Sequence, residues 1–207
     1  AAHDPFFAGN VDALIAAQPK DLEASEIEVR LGATWLDKKY IEQFMYETFE
    51  TPRYLRGQIE ISYVPYTAEW QVSRKSMVRY NDVAAFTTYG TDRASAYRLL
   101  EDALNLRDIR IYDTIEDADG RERRVLNAKE TTLAAQKQQL IRDAFKDWIW
   151  KDPERRETLV RQYNEEMNST RPREYDGSHI VFSGMNPEIT LREHQKNAIA
   201  HVLYGGN

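Results

Sequence analysis

Cationic and aromatic residues alternate between positions 53 and 80, in a pattern that suits contact with a nucleic acid. The cations outnumber the two acids of this stretch, Glu60 and Glu69, and are Arg53, Arg56, Arg74, Lys75 and Arg79. The aromatic residues between them are Tyr54, Tyr63, Tyr66, Trp70 and Tyr80. Single-strand binding surfaces combine phosphate-neutralising cations with aromatic rings on which bases stack. These residues, here called the basic patch, therefore predict DNA contact, although tyrosine and tryptophan also pack in ordinary sheet cores.

Gln195 is the second residue whose type and position could bind a ligand. At 100° per residue, the apolar residues of the last amphipathic stretch fall within an arc of about 100°, and Gln195 lies in the middle of it. That arc consists of Leu191, Ala198, Ile199, Val202 and Leu203. An inward amide left unpaired costs roughly 1–3 kcal/mol, so a partner is expected. An adenine edge offers both a donor and an acceptor to glutamine, and nearby backbone groups offer the same.

A run of carboxylates before Gly120 has some features of a calcium-binding loop. The carboxylates are Asp113, Glu116, Asp117 and Asp119. Ile115 stands at the first ligand position and Leu126 at that of the bidentate glutamate, so we expect a solvated hairpin loop instead. Three arginines follow these acids, and they are Arg121, Arg123 and Arg124. They could bind phosphates, or their charge could be neutralised by the neighbouring acids.

Other chemistry-bearing patterns are missing from the sequence. There is no cysteine, no serine nucleophile elbow and no glycine-rich dinucleotide fingerprint. The chain has four histidines, His3, His179, His194 and His201. They are too scattered in the sequence to form a metal site. We therefore predict no catalytic residues, no metal and no cofactor within these 207 residues.

Composition places the chain among soluble globular proteins. Hydrophobic residues make up 42% and charged residues 30%, and the net charge of −6 excludes a global basic field. No run approaches the roughly 20 apolar residues of a membrane-spanning helix, and the first residues do not form a secretion signal. We expect a cytoplasmic location without a membrane partner.

Hydrophobic periodicity predicts an α+β fold with a small mixed or antiparallel sheet. Residues 27–35 alternate as a strand does, and Asp37 can cap the helix that follows. Further strands are predicted at 59–64, 69–73 and 85–89, with a helix capped by Asp92 after them. A hairpin with a turn at Asp119-Gly120 comes next.

The remaining elements are mainly helical. Asn127 with Glu130 forms a capping box for a long helix, and Asp152-Pro153 begins a second helix that runs to about Met167 before Arg171-Pro172. We expect these two to pack as a helical pair. A short strand at 179–182 and a last helix at 191–204, capped by Thr190, complete the chain. The organisation predicted is a tail or linker at 1–25, an α+β domain at 26–176, and a separate terminal part at 177–207.

The stretch Thr190-Leu191-Arg192-Glu193-His194-Gln195-Lys196-Asn197-Ala198-Ile199 resembles the opening Leu-Arg-x-x-Gln element of superfamily II helicases of the Snf type. Residues 163–164, 171–179 and 184–187 resemble the lead-in to that motor core in large bacterial and phage proteins that join a DNA methyltransferase to a helicase. Residues 30–35, 89–91 and 99–105 resemble the accessory stretch between those two regions. The resemblance implies that Gln195 and Arg192 belong to an adenine-binding site in the complete motor.

The resemblance also implies partners that lie outside these residues. The phosphate-binding loop of such motors would come soon after Asn207, so ATP and magnesium are expected in a parent protein and not in this piece of it. The implied function is an accessory domain for DNA engagement, or for coupling the motor to a methyltransferase region of the same polypeptide. The alternative is a protein-interaction or spacer module without DNA affinity.

Overall fold

The computed structural model describes residues 5–79, 81–116, 120–170, 174–186 and 188–205. The chain divides into two compact units, one formed by Asp21–Met167 and the other by Ala1–Lys20 with Asn168–Asn207. The described residues form helices and two small antiparallel sheets, so the predicted α+β class is confirmed. None of the described helices has the length and apolar character needed to cross a bilayer.

Residues 27–33 alternate in burial as predicted, but the predicted strand at 27–35 is not a β-strand. Ile27, Val29 and Leu31 are buried, yet no strand pairs with them. The segment runs instead along a helix farther down the chain, where Gln162 Nε2 donates to the carbonyl of Trp35 at 3.0 Å. From residue 31 the chain forms turns, in which Gly32 has a φ of 82° and the N–H of Leu36 donates to the carbonyl of Ala33 at 3.2 Å. The burial pattern therefore arises without a neighbouring strand, and the strand prediction is wrong.

The next elements follow the sequence prediction closely. Asp37 accepts a hydrogen bond from the N–H of Lys39 at 2.9 Å and caps α2, which spans Lys38–Thr48 and follows the N-terminal helix α1, Pro5–Ala17. The strands β1 (Ile61–Val64) and β2 (Glu69–Val72) pair antiparallel, with Ile61 opposite Val72.

The predicted strand at 85–89 and the predicted cap Asp92 are both wrong. Residues Ala84–Thr88 form a single π-helical turn. The helix α3 spans Ala96–Leu104, and its N-cap residue is Ser95. Branched and aromatic residues favour strands only where a neighbouring strand is present to receive them, and the chain here turns into α3 instead.

The second hairpin and two further helices complete the larger unit. The strands β3 (Tyr112–Glu116) and β4 (Glu122–Leu126) pair antiparallel, while Asp117 and Asp119 of the predicted turn lie outside the described residues. Asn127 accepts from the N–H of Glu130 at 3.0 Å and begins α4, Ala128–Ile149.

The helix α5 spans Pro153–Glu166 and begins, as predicted, after the N-cap residue Asp152. Arg155 joins it to the end of α4, because its guanidinium donates to the carbonyls of Ile149 at 3.0 Å and Trp148 at 2.6 Å. The predicted stop at Arg171-Pro172 lies outside the described residues.

The core of the larger unit lies between α2, α3, α4 and the first hairpin. Phe44 makes edge contacts with Phe49, Phe145 and Trp148 at centroid distances of 6.1, 5.1 and 5.7 Å. The buried face of α4 consists of Ala134, Gln138, Ile141, Phe145 and Ile149. Leu133 and Leu140 of the same helix are exposed.

The smaller unit contains α1 and the last helix, α6, which spans Glu193–Tyr204. The predicted strand at 179–182 is absent, since these residues form a turn followed by chain without regular secondary structure. The predicted cap Thr190 is also wrong, because the N-cap residue of α6 is Arg192.

Candidate nucleic-acid interface

Hydrogen bonds tie the turn before β1 to the residue that follows β2. The N–H of Ser73 donates to the carbonyl of Glu60 at 2.9 Å, and its Oγ accepts from the N–H of Glu60 at 3.0 Å. Gln58 accepts from Ser73 Oγ at 3.3 Å and donates to the carbonyl of Tyr54 at 2.7 Å. These contacts hold the turn that carries Tyr54 at the same end of the hairpin as Arg74.

Arg53, Arg74 and Arg79 are exposed cations of the basic patch. Arg53 lies in the turn before β1, while Arg74 and Arg79 follow β2. Within the part of the chain that the structure describes, none of the three forms an ion pair. Their guanidinium groups are therefore available to a phosphate.

Arg56 and Lys75 are held by contacts within the protein. The guanidinium of Arg56 donates to the carbonyl of Thr51, just after α2, at 2.9 Å and to that of Tyr46, in the last turn of α2, at 3.3 Å. Lys75 forms an ion pair with Glu101 of α3. These two predicted site residues thus stabilise the fold, and ligand contact by either of them stays a prediction.

The aromatic residues of the basic patch divide into exposed and packed rings. Tyr54 is 62% exposed and Tyr66, in the turn between β1 and β2, is 98% exposed. Trp70 is only 6% exposed and packs against Tyr63 at a centroid distance of 5.0 Å. A base cannot stack on Trp70 in this arrangement, so its predicted stacking role does not fit its position. Tyr80 lies outside the described residues.

The start of α6 is fixed by Gln195. Its Oε1 accepts from the backbone N–H of Arg192 at 2.9 Å, while the carbonyl of Arg192 accepts from the N–H of Gln195 at 3.0 Å. Gln195 is exposed, as are Val202 and Leu203 of the predicted inward arc. The prediction that this amide points inward is therefore wrong. Adenine contact by Gln195 and Arg192 in a complete motor stays a prediction.

The segment 174–180 lies along α6. The ring of Tyr175 stacks on His201 at a centroid distance of 4.8 Å, and the N–H of Gly177 donates to Asn197 Oδ1 at 2.8 Å. A Cβ on Gly177 would lie 2.0 Å from the carbonyl oxygen of Lys196. Only glycine allows this approach of the two backbones.

A second cationic cluster, which the sequence analysis did not single out, lies beside the β3–β4 hairpin. A cavity of about 140 Å³, here called the arginine cleft, is lined by Arg93, Arg98, Arg110, Ile111, Tyr112 and Arg124. These residues come from the turn before α3, from α3 itself, from the chain before β3 and from both strands. Their wide separation in sequence hides the cluster from a search by spacing.

Arg93 is the anchor of the arginine cleft. Its guanidinium donates to Asp113 Oδ1 at 2.8 Å and to the carbonyl of Tyr112 at 2.9 Å. Asn127 Nδ2 donates to the other carboxylate oxygen at 2.7 Å. The bond from Arg93 and then that from Asn127 hold the pKa of Asp113 below its ordinary value, because both favour the ionised form.

The β-pleat separates the arginines of β4. Arg124 lies opposite Thr114 in the register, and its guanidinium sits over the ring of Tyr112 at 4.8 Å from the centroid. Arg123 lies opposite Ile115 and so belongs to the other face of the hairpin. One arginine of the sequence Arg121-Glu122-Arg123-Arg124 thus reaches the arginine cleft, while the acid Asp113 lies on the opposite face of its strand.

No group of three or more metal-binding side chains occurs among the described residues. Every buried side-chain polar atom in the described part of the chain has a hydrogen-bond partner. The most buried hydroxyl pair, Thr51 and Tyr97, is 2.7 Å apart, and burial raises the pKa of Tyr97 to about 12. The hydrogen bond between these two hydroxyls stabilises the core.

The family model of a domain of unknown function (DUF8437) matches residues 30–169. The chain belongs to this family. Both the basic patch and the arginine cleft lie within the DUF8437 match, whereas α1 and α6 lie outside it. No curated protein and no solved structure matches the chain.

Proposed function

We propose that the DUF8437 region is an accessory domain that engages DNA through its phosphate backbone. In this proposal the region belongs to a larger protein with a Snf-type helicase motor, and it positions DNA for that motor or couples it to a methyltransferase region. ATP and magnesium then act in the motor and not in this domain.

The observation that carries the proposal is the availability of Arg53, Arg74 and Arg79. Each is exposed and lacks an ion-pair partner among the described residues, while Tyr54 beside Arg53 exposes most of its ring. Cations that neutralise phosphates release condensed counterions, and exposed rings add base stacking. A DNA strand can use both at this end of the hairpin.

The net charge of −6 limits how the domain can bind. Acidic surface elsewhere repels a polyanion, so affinity has to come from a few local contacts. Binding is then strongest at low ionic strength and falls steeply as salt is added. The alternative, a spacer without DNA affinity, predicts no binding at any ionic strength.

The proposed link to a motor is supported by the resemblance of residues 190–199 to the start of a Snf-type core. Gln195 and Arg192 are already adjacent in space at the beginning of α6. In a protein that also carries the phosphate-binding loop, Gln195→Ala should raise the ATP concentration needed for half-maximal hydrolysis. An unchanged ATP dependence would remove Gln195 from the nucleotide site.

The DNA proposal is tested by fluorescence anisotropy with labelled single-stranded and duplex DNA at several salt concentrations. The triple variant Arg53→Gln, Arg74→Gln, Arg79→Gln should bind more weakly and lose about two to three units of salt slope, because each lost phosphate contact removes roughly one. The matched control is Lys146→Gln, Lys151→Gln, Arg161→Gln, which removes the same charge from exposed positions elsewhere.

Equal loss of affinity in the two triple variants would show that only net charge matters, and would overturn the assignment to the basic patch. Absence of binding by the unmodified chain, even at low salt, would favour the spacer function. Circular dichroism and thermal unfolding of each variant establish that the fold is intact.

A further inference from the structure

The arginine cleft concentrates positive charge without an equal number of acids. Arg93 is paired with Asp113, but Arg98, Arg110 and Arg124 form no ion pair among the described residues. Two acids follow Arg98 on α3: Glu101, three residues on, is paired with Lys75, and Asp102 is four residues on. Like charges repel when they share a small cavity, so an anion bound there would stabilise the arrangement.

The arginine cleft has the size and the donors for one phosphate group. Its volume of about 140 Å³ corresponds to four or five water molecules at about 30 Å³ each, close to the five heavy atoms of phosphate. Arginine presents a planar fork of N–H donors that binds phosphate oxygens in pairs. Arg93 is fixed by Asp113 and Arg124 by the ring of Tyr112, so part of the donor set is already ordered.

The arginine cleft continues towards the basic patch. A neighbouring cavity of about 240 Å³ shares Arg93 and Arg98 with it and is also lined by Lys75, next to Arg74. Ser76 and Ser95 add hydroxyl groups to this cavity, and Asp92 adds a carboxylate. The two cavities therefore share a cationic lining that begins at Lys75, the neighbour of Arg74 in sequence, and ends at the arginine cleft.

We propose that the arginine cleft binds one backbone phosphate of a DNA strand whose neighbouring phosphates lie on the basic patch. This inference rests on the proposed function, since the same strand must engage both surfaces. Arg98 and Arg110 donate hydrogen bonds to the phosphate, and Arg124 lines the opposite side of the arginine cleft. Arg93 is a positioning residue, because it holds the hairpin in place through Asp113.

The double variant Arg98→Gln, Arg110→Gln tests the proposal by DNA anisotropy on the whole chain. Each lost contact should weaken duplex binding roughly eightfold at 0.1 M salt, and single-strand binding roughly fivefold, with slopes of about 0.9 and 0.7 per contact. The variant Arg98→Lys, Arg110→Lys keeps the charge but loses the fork, so it should recover only part of the affinity. Lys146→Gln, Arg161→Gln is the charge-matched control.

The outcomes separate this inference from the proposed function. If the unmodified chain binds DNA and the double variant binds as tightly as its control, the arginine cleft proposal fails while DNA engagement by the basic patch stands. If the lysine variant binds as tightly as the unmodified chain, diffuse charge and not a built phosphate site is responsible, which also overturns it. If the unmodified chain does not bind DNA, both proposals fail.

A spectroscopic measurement identifies the source of the phosphate. The arginine Nε–H resonances are followed by NMR during titration with a short single-stranded DNA and, separately, with inorganic phosphate. Shifts of Arg98 and Arg110 that saturate together with the DNA anisotropy support the proposal. Shifts with inorganic phosphate but none with DNA would assign the arginine cleft to a small free anion and overturn it, as would no shift with either.

Discussion

The guanidinium of Arg93 lies 2.8 Å from the carboxylate of Asp113 and connects the turn before α3 to β3. The same guanidinium also binds the carbonyl of Tyr112, while Asn127 binds the second oxygen of Asp113. All residues of β4 are exposed, and these bonds attach β3 to the turn before α3 and to the N-cap residue of α4. The position of the arginine cleft depends on them.

Asp113→Asn should make the Tm of the chain depend less on pH in the acidic range. The pKa of Asp113 is lowered in the folded chain, so its ionised form stabilises the fold above the ordinary carboxyl value near 4. This contribution is lost as the pH falls from about 4 through the lowered folded pKa. Thermal unfolding should give a higher Tm for the unmodified chain at pH 7, and the two Tm values should converge once the pH lies below the lowered folded pKa of Asp113. A constant difference across that range would contradict the ion-pair explanation.

Tyr97→Phe tests the buried hydroxyl pair in the core. The variant leaves Thr51 without its 2.7 Å partner and should lower the free energy of unfolding by roughly 1 kcal/mol. Burial raises the folded pKa of Tyr97 to about 12, so the unmodified chain should lose stability as the pH rises from about 10 to 12. Urea unfolding across this range should show a shallower loss in the variant. The exposed Tyr54→Phe is the control, and an identical decline in all three proteins would exclude Tyr97.

Gly177→Ala should loosen the contact between the segment 174–180 and α6. A Cβ would lie 2.0 Å from the carbonyl of Lys196, which neither backbone can accommodate without moving. Amide hydrogen exchange should become faster at residues 174–205 and remain unchanged in the core of the larger unit. Gly9→Ala is the control, because a Cβ at Gly9 has no neighbour within 4 Å and alanine favours a helix. If amide hydrogen exchange were unchanged in Gly177→Ala, the backbones of Gly177 and Lys196 would not be in close contact.

The start of a helix could be predicted from the sequence wherever an Asp or Asn side chain caps it. Asp37, Asn127 and Asp152 each accept a backbone N–H within the first turn, so the starts of α2, α4 and α5 were predicted correctly. Arg192 caps α6 through an arrangement with Gln195 that residue type alone does not reveal. The preference for serine or threonine at such positions pointed to Thr190 instead.

Tertiary partners explain the features that could not be predicted. The alternation of residues 27–35 states which side chains are buried, but not whether a strand or a helix covers them. The buried position of Trp70 depends on Tyr63 across the hairpin, so composition could not distinguish it from the exposed Tyr66. Likewise, the arginine cleft arises from four arginines that only the folded chain brings together.

The salt dependence of DNA binding by the unmodified chain tests the central claim most directly. The logarithm of the association constant for duplex DNA is measured against the logarithm of salt concentration. Contacts by Arg53, Arg74 and Arg79 predict a slope of about −3, and contacts in the arginine cleft make it steeper. A slope near zero, or no binding at low ionic strength, would contradict DNA engagement through phosphates.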